Sequence, residues 1–156
     1  MHPRLGLSTA VEYGSRAAIG LGRNGHAPGV KLAVSLDDRR QQGHLYWRTA
    51  PRGADAQLDF HRITEDAAEA VALALVHVSK GWVVDRRLQR REFGDWRLTD
   101  PEGNHIALEV SGVDKVDTGQ RRLKEKVAQV ARCMTTGQKV ACVVELAPPR
   151  SRLKSA

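Results

Sequence analysis

Two acidic residues on neighbouring predicted strands are the side chains best placed for chemistry in this sequence. Apolar residues alternate with polar or small ones on both sides of the turn 100–104, which predicts a β-hairpin. Its apolar face consists of Trp96, Leu98, Ile106, Leu108 and Val110. These side chains share one face only if Trp96 is paired with Leu108. That register sets Asp95 directly opposite Glu109 on the polar face, with Cβ atoms roughly 4.5–5.5 Å apart.

Two carboxylates at this separation repel each other unless a cation or a proton lies between them. A hard divalent cation with oxygen ligands is the usual solution, so Asp95 and Glu109 are a candidate metal site. The structural alternative is a solvated strand face, in which Asp95 makes an ordinary salt bridge with Arg97. The register of the hairpin is compatible with both interpretations.

Helices and strands before and after the hairpin must position this pair. Helical spacing of apolar residues predicts a helix over 64–80, capped by Thr64 and carrying two acids in its first turn. A strand begins at Trp82. After the hairpin, the pattern predicts a basic amphipathic helix over 119–134 and a buried strand over 140–146.

Residues 1–60 are expected to form an N-terminal extension of this core. A short helix is expected over 8–21, followed by two strands that form a hairpin around the polar connection 37–43, and a loop over 51–55. The basic tail 148–156 begins with two prolines and is expected to be loose. With 156 residues and 41% hydrophobic content, the chain is expected to form one α/β domain, a mixed sheet flanked by helices.

The order helix, strand, strand, strand, helix, strand over residues 64–147 resembles the core of the PD-(D/E)xK nuclease superfamily, which includes many restriction and repair endonucleases. The matching residues are Asp95 and Glu109, the second in the stretch Glu109-Val110-Ser111. This resemblance implies a restriction-endonuclease-like fold and metal-dependent cleavage of DNA. In the superfamily a magnesium or manganese ion activates a water and stabilises charge on the phosphate. Glu69, on the first helix of this core, is a candidate third ligand.

Ser111 stands where the superfamily has its catalytic lysine, and it offers only a hydroxyl. Relocation of the lysine is seen in some members of the superfamily. Three lysines could bring an ammonium to the site from elsewhere: Lys115 in the following loop, and Lys124 and Lys126 on the basic helix. Without such a charge, the isolated chain is expected to cleave weakly or not at all.

The charge balance favours a polyanionic partner. Twenty-five Lys and Arg against eighteen Asp and Glu give a formal charge of +7, which favours nucleic acid through counterion release. The candidates for phosphate contacts are Arg121, Arg122, Lys124 and Lys126, and the first three are expected to face solvent. A solvated surface of an arginine-rich protein accounts for the same composition.

Other residue types narrow the functional classes. The cysteines Cys133 and Cys142 have no metal-ligand spacing and are expected to be free thiols. The histidines show no paired spacing, and neither cysteine nor Ser111 has an evident base and acid partner for nucleophilic catalysis. No apolar stretch approaches about twenty residues, which predicts a cytoplasmic protein without membrane contact.

Two functions therefore compete. The first is a metal-dependent DNA endonuclease or nuclease subunit. The second is a non-catalytic module of nuclease fold that binds nucleic acid or a partner protein, and the resemblance loosely associates it with bacterial defence or mobile elements. Since the chain leaves little room for a separate specificity domain, either version is expected to work with a partner protein or as a homo-oligomer.

Overall fold

A seven-stranded mixed sheet is covered by helices on both faces in a computed structural model that describes residues 4–50, 59–115 and 118–156. In chain order the elements are α1 (Leu7–Arg23), β1 (Val30–Leu36), β2 (Arg39–Leu45), α2 (Phe60–Lys80), β3 (Val83–Arg87), a 3₁₀ helix (Arg90–Glu92), β4 (Trp96–Thr99), β5 (His105–Val113), α3 (Gly119–Val130), β6 (Gln138–Glu145) and β7 (Arg150–Ser155). The strand order is β2-β1-β7-β6-β5-β4-β3. The expected α/β class, with its mixed sheet, N-terminal helix and hairpin, is confirmed.

The two faces of the sheet bury different sets of side chains. On one face, residues such as Leu108 and Val144 join residues of α1 and α2 in the larger apolar cluster. On the other face, Val143 packs with Leu123 and Val130 of α3 in a smaller cluster. Because side chains alternate along a strand, β5 presents its apolar residues to α2 and its Glu109 and Ser111 side to α3.

The register of the β4–β5 hairpin is the predicted one. Trp96 pairs with Leu108 and Leu98 pairs with Ile106, and all four side chains are buried. Alternation of apolar residues was enough to predict it, because a slip by one residue would have turned every apolar side chain away from the core.

The tail predicted to be loose is a strand inside the sheet. β7 pairs in parallel with β1 and antiparallel with β6, and its residues Ser151 and Leu153 are buried. The prediction was wrong because the segment consists mostly of polar residues, which do not indicate a buried strand. Its place in the sheet depends on pairing with strands that are distant in the sequence. Through β7 the N-terminal hairpin is continuous with the core sheet.

Several predicted boundaries also need correction. α2 begins at Phe60, because the Asp59 carboxylate accepts from the amides of His61 and Arg62 at 2.7 and 3.2 Å and caps the helix. Gly81 ends α2 in the left-handed conformation, one residue after the predicted end of the helix at residue 80.

The other corrections concern the N-terminal hairpin and the basic helix. The expected polar connection 37–43 is largely strand β2, and α3 ends at Val130. The predicted loop 51–55 lies outside the described residues. No helix in the described ranges is long and apolar enough to cross a membrane.

Gly112 permits a close approach between β5 and the first turns of α2. A Cβ at this position would overlap the carbonyl oxygen of Thr64 and would lie 2.8 Å from its Cγ2. The same approach lets the Gly112 amide donate to Glu65 Oε2 at 3.4 Å. Gly112 therefore helps to set the distance between α2 and the acidic side chains of the hairpin.

Replacement of Gly112 by alanine should lower the free energy of unfolding by about 1–3 kcal/mol, because the added methyl group must push α2 away from β5. Urea unfolding monitored by circular dichroism measures the change. Gly14→Ala is the control: Gly14 is an exposed position of α1 with open space at its Cβ. Alanine there should stabilise by roughly 0.5–1 kcal/mol. Equal effects at the two positions would contradict the packing argument.

Candidate functional site

Glu109 lies at the centre of the candidate site and is paired with a lysine from α3. Its side chain is only 3% exposed, on the side of β5 that faces α3. Lys126 Nζ donates to Glu109 Oε1 at 2.5 Å and to Gln129 Oε1 at 3.2 Å. The lysine side chain is 14% exposed, so this is a largely buried ion pair. Such a pair is retained only when both charges find partners.

Asp95 lies one residue before β4 and leaves the regular pairing of the hairpin. Its amide donates to the carbonyl of Leu108 at 3.0 Å, and its Oδ2 accepts from the amide of Val110 at 2.8 Å. In the predicted register it would have faced Glu109 directly; the observed ladder stops at Trp96. The aspartate nevertheless lies within electrostatic reach of Glu109.

The surroundings of Asp95 make it a weak acid. Burial, followed by the charge of Glu109, raises the pKa of Asp95 to about 7, although the bond from Val110 and the charge of Lys126 oppose the shift. The charge of Glu109 therefore disfavours the ionisation of Asp95.

Glu65 is a further acid, beside Gly112 of β5, that the sequence placed only in the first turn of a helix. Burial raises its pKa, and the bond from Gly112 and the charges of Lys126 and Arg122 partly offset that effect. Its carboxylate thus lies within electrostatic reach of these two cations of α3. Helical spacing could have found it, because Glu65 is one turn before Glu69 on α2.

Glu69, the predicted third metal ligand, is committed to other contacts. Its carboxylate accepts from Tyr13 Oη and Trp96 Nε1, each at 2.8 Å, and from both terminal nitrogens of Arg87 at 2.8 and 2.9 Å. These donors satisfy a buried carboxylate. We therefore assign Glu69 a structural role and not a metal-binding one.

The predicted lysines have different fates. Lys115 and Lys124 are exposed, while Lys126 reaches Glu109. Helical geometry explains the difference, because Lys126 lies three residues after Leu123 and four before Val130, and both of these are buried against the sheet. The apolar spacing of α3 contained this signal.

The cations of the basic helix differ in their exposure to solvent. The side chain of Arg121 is 81% exposed and that of Arg122 is 42% exposed, and both pair with Glu125, at 3.7 and 3.2 Å. Arg122 Nε also donates to the Oγ of Ser111 at 3.0 Å, and this serine is fully buried. Arg121 therefore extends into solvent, whereas Arg122 reaches the buried Ser111.

The donor set is limited in number. Within the part of the chain that the structure describes, no three His, Cys, Asp or Glu side chains form a group that could hold a metal ion. Asp95 and Glu109 offer a pair of carboxylates. Magnesium commonly uses one or two protein carboxylates and completes its shell with water and substrate phosphate, so a pair fits its chemistry.

Comparisons with protein-family models, with curated proteins and with solved structures find no match to this chain. Any functional assignment therefore rests on the geometry and chemistry of the acidic cluster. The residues that form it are Glu65, Asp95, Glu109, Ser111, Arg122 and Lys126.

Replacement of Asp95 by asparagine should change the pH dependence of stability. The folded protein holds the Asp95 proton more tightly than the unfolded chain does, where the pKa is about 3.9, so ionisation costs stability as pH rises from about 4 to about 7. Asp95→Asn removes this cost. In EDTA, its gain in unfolding free energy should be on the order of 2 kcal/mol larger at pH 8 than at pH 5.

Denaturant titrations at the two pH values test this, with Asp38→Asn in the exposed β1–β2 turn as the control. A gain for Asp95→Asn that does not vary with pH would show that Asp95 ionises freely in the folded protein.

Replacement of Lys126 by methionine should destabilise the fold by about 3 kcal/mol, because it leaves the carboxylate of Glu109 buried without a cation. Lys124→Met, on the exposed side of the same helix, should change stability by less than about 0.5 kcal/mol. Thermal and urea unfolding measure both. The double variant Lys126→Met with Glu109→Gln should recover part of the loss, and no recovery would argue against the ion pair.

Proposed function

We propose that this chain is a metal-dependent phosphodiesterase that cleaves nucleic acid, with Asp95 and Glu109 as the cation ligands and Lys126 as the catalytic ammonium. The observation that carries the proposal is the bond of 2.5 Å from Lys126 Nζ to Glu109 Oε1. It brings a lysine to the acidic pair, although position 111 is a serine. The order α2, β3, β4, β5, α3, β6 agrees with the resemblance to PD-(D/E)xK nucleases and supports the same proposal.

The carboxylate pair suits a hard divalent cation. The charge of Glu109 raises the energy of the ionised form of Asp95, and a cation bound by both carboxylates would relieve this repulsion. When bound, magnesium or manganese would supply an activated water and neutralise charge on the phosphate. Because Asp95 must lose its proton to bind a cation, affinity for the metal should increase as pH rises through about 7.

The protein groups then act by position and charge. Hydrolysis joins a water oxygen to phosphorus, breaks one phosphorus–oxygen ester bond and transfers a proton to the leaving oxygen. Lys126 is held between Glu109 and Gln129, so its ammonium would be in position to stabilise the negative charge that develops on a phosphate bound at the site. The charge of Lys126 in turn favours the ionised form of Glu65.

A second candidate is a non-catalytic module of the same fold that binds nucleic acid or a partner protein. It is favoured by the same ion pair, because Lys126 already neutralises Glu109 without a metal ion. In that case the cluster is a structural element, and binding depends on exposed cations such as Arg121.

Cleavage assays separate the two candidates. Plasmid DNA, single-stranded DNA and RNA are incubated with the purified chain in magnesium, in manganese and in EDTA. The phosphodiesterase should cleave only with a divalent metal, and Asp95→Asn and Glu109→Gln should each lower the rate by at least about 100-fold, because an amide keeps the shape but loses the charge. Lys126→Gln should lower it more than Lys124→Gln does.

Melting curves provide the second measurement. A metal site should give the wild type a stabilisation by magnesium or manganese that Asp95→Asn and Glu109→Gln both lose. Cleavage that persists in EDTA would contradict the proposal. No cleavage together with melting that is insensitive to metal would support the non-catalytic module.

A further inference from the structure

Ser111 and Arg122 form a contact that the proposed function does not use. Ser111 lies two residues after Glu109 on the same side of β5 and is completely buried. Its Oγ accepts from Arg122 Nε at 3.0 Å. Arg122 Nη1 also donates to Glu125 Oε2 at 3.2 Å. Position 111 has no charged side chain of its own, but it contacts the charged side chain of Arg122 from α3.

Arg122 lies beside the acidic cluster, on its solvent side. It is four residues before Lys126, so the two side chains are one helical turn apart on the same side of α3. Both cations oppose the rise in the pKa of Glu65. The side chain of Arg122 is 42% exposed against 14% for Lys126, so the guanidinium is accessible to a ligand that reaches the cluster from solvent.

The chemistry of a guanidinium defines the ligand. Arginine has five N–H donors in one plane, and the contacts of Arg122 with Ser111 and Glu125 leave donors for a further acceptor. Phosphate oxygens match this planar geometry and can accept two parallel bonds. Because Ser111 and Glu125 already restrict the side chain, binding costs less conformational entropy than it would for a free arginine.

We infer that Arg122, held in place by Ser111, binds a phosphate of the nucleic acid at the acidic cluster. This inference deepens the proposed function, since it rests on nucleic acid as the ligand of that site. Ser111 is then a positioning residue, and it acts through Arg122.

Arg121 offers a matched comparison on the same helix. It pairs with the same Glu125, at 3.7 Å, but its side chain is 81% exposed and makes no contact with Ser111 in the described part of the chain. A general electrostatic attraction of α3 for nucleic acid would treat Arg121 and Arg122 alike. A specific phosphate contact would not.

The test measures binding of a fluorescent 12-nucleotide single-stranded DNA by anisotropy over a series of salt concentrations, with calcium in place of magnesium. Arg122→Gln should weaken binding by roughly tenfold and reduce the salt slope by about 0.7, the value for one phosphate contact on a single strand. Arg121→Gln should weaken binding by about twofold. Circular dichroism melting checks that each variant is folded.

Variants of Ser111 test positioning. Ser111→Ala should weaken binding by roughly threefold in the wild type and by nothing further in the Arg122→Gln background, because its effect passes through the arginine. Ser111→Thr, which keeps the hydroxyl, should restore most of the affinity. Losses that add in the double variant would show a general structural role for Ser111 and overturn the positioning.

Failure of this inference can be distinguished from failure of the proposed function. If the wild type binds DNA through Arg122 but never cleaves it, hydrolysis is wrong and the phosphate contact stands. If cleavage occurs but Arg122→Gln behaves like Arg121→Gln, the contact is wrong and hydrolysis stands. Absence of any binding by the wild type would also overturn the contact.

Discussion

The carboxylate of Glu69 is the group on which the arrangement of α1, α2 and the β3–β4 edge depends. It is buried, and it accepts hydrogen bonds from Tyr13 on α1, Arg87 on β3 and Trp96 on β4. A buried charge without partners costs several kcal/mol, so these donors must stay together for the protein to fold. The ring of Tyr13 also packs edge-on against Trp96, with centroids 6.1 Å apart.

This network determines where the acidic cluster can form. Trp96 follows Asp95 directly, and Glu65 is one turn before Glu69 on α2, so fixing Glu69 also fixes two of the clustered acids. Burial, followed by the charge of Glu69, raises the pKa of Tyr13, which therefore remains a proton donor at any physiological pH. The position of the cluster thus depends on contacts on the opposite face of the sheet.

Buried glutamates account for the positions of several basic side chains. Three of them pair with cations from other elements: Glu69 with Arg87, Glu109 with Lys126 and Glu145 with Arg152. These cations neutralise internal charge, although the side chain of Arg87 remains 51% exposed. Because each pair sums to zero, the formal charge of +7 is carried by the remaining side chains.

The sequence by itself determined the elements whose apolar residues alternate or recur locally. The register of the β4–β5 hairpin, the end of α2 at Gly81 and the presence of the basic helix all follow from periodicity within a short segment. The same register predicted that Asp95 and Glu109 lie close together, although Asp95 lies one residue outside the observed ladder.

Only the tertiary structure decided which distant groups meet. The place of β7 between β1 and β6 depends on pairing with strands remote in sequence, because its own residues are mostly polar. Lys126 reaches Glu109 and Lys124 does not, because of the side of α3 that packs against the sheet. Glu65 contacts β5 because α2 approaches the strand at Gly112. Local pattern assigns a residue to a face of its own element, whereas packing decides what that face contacts.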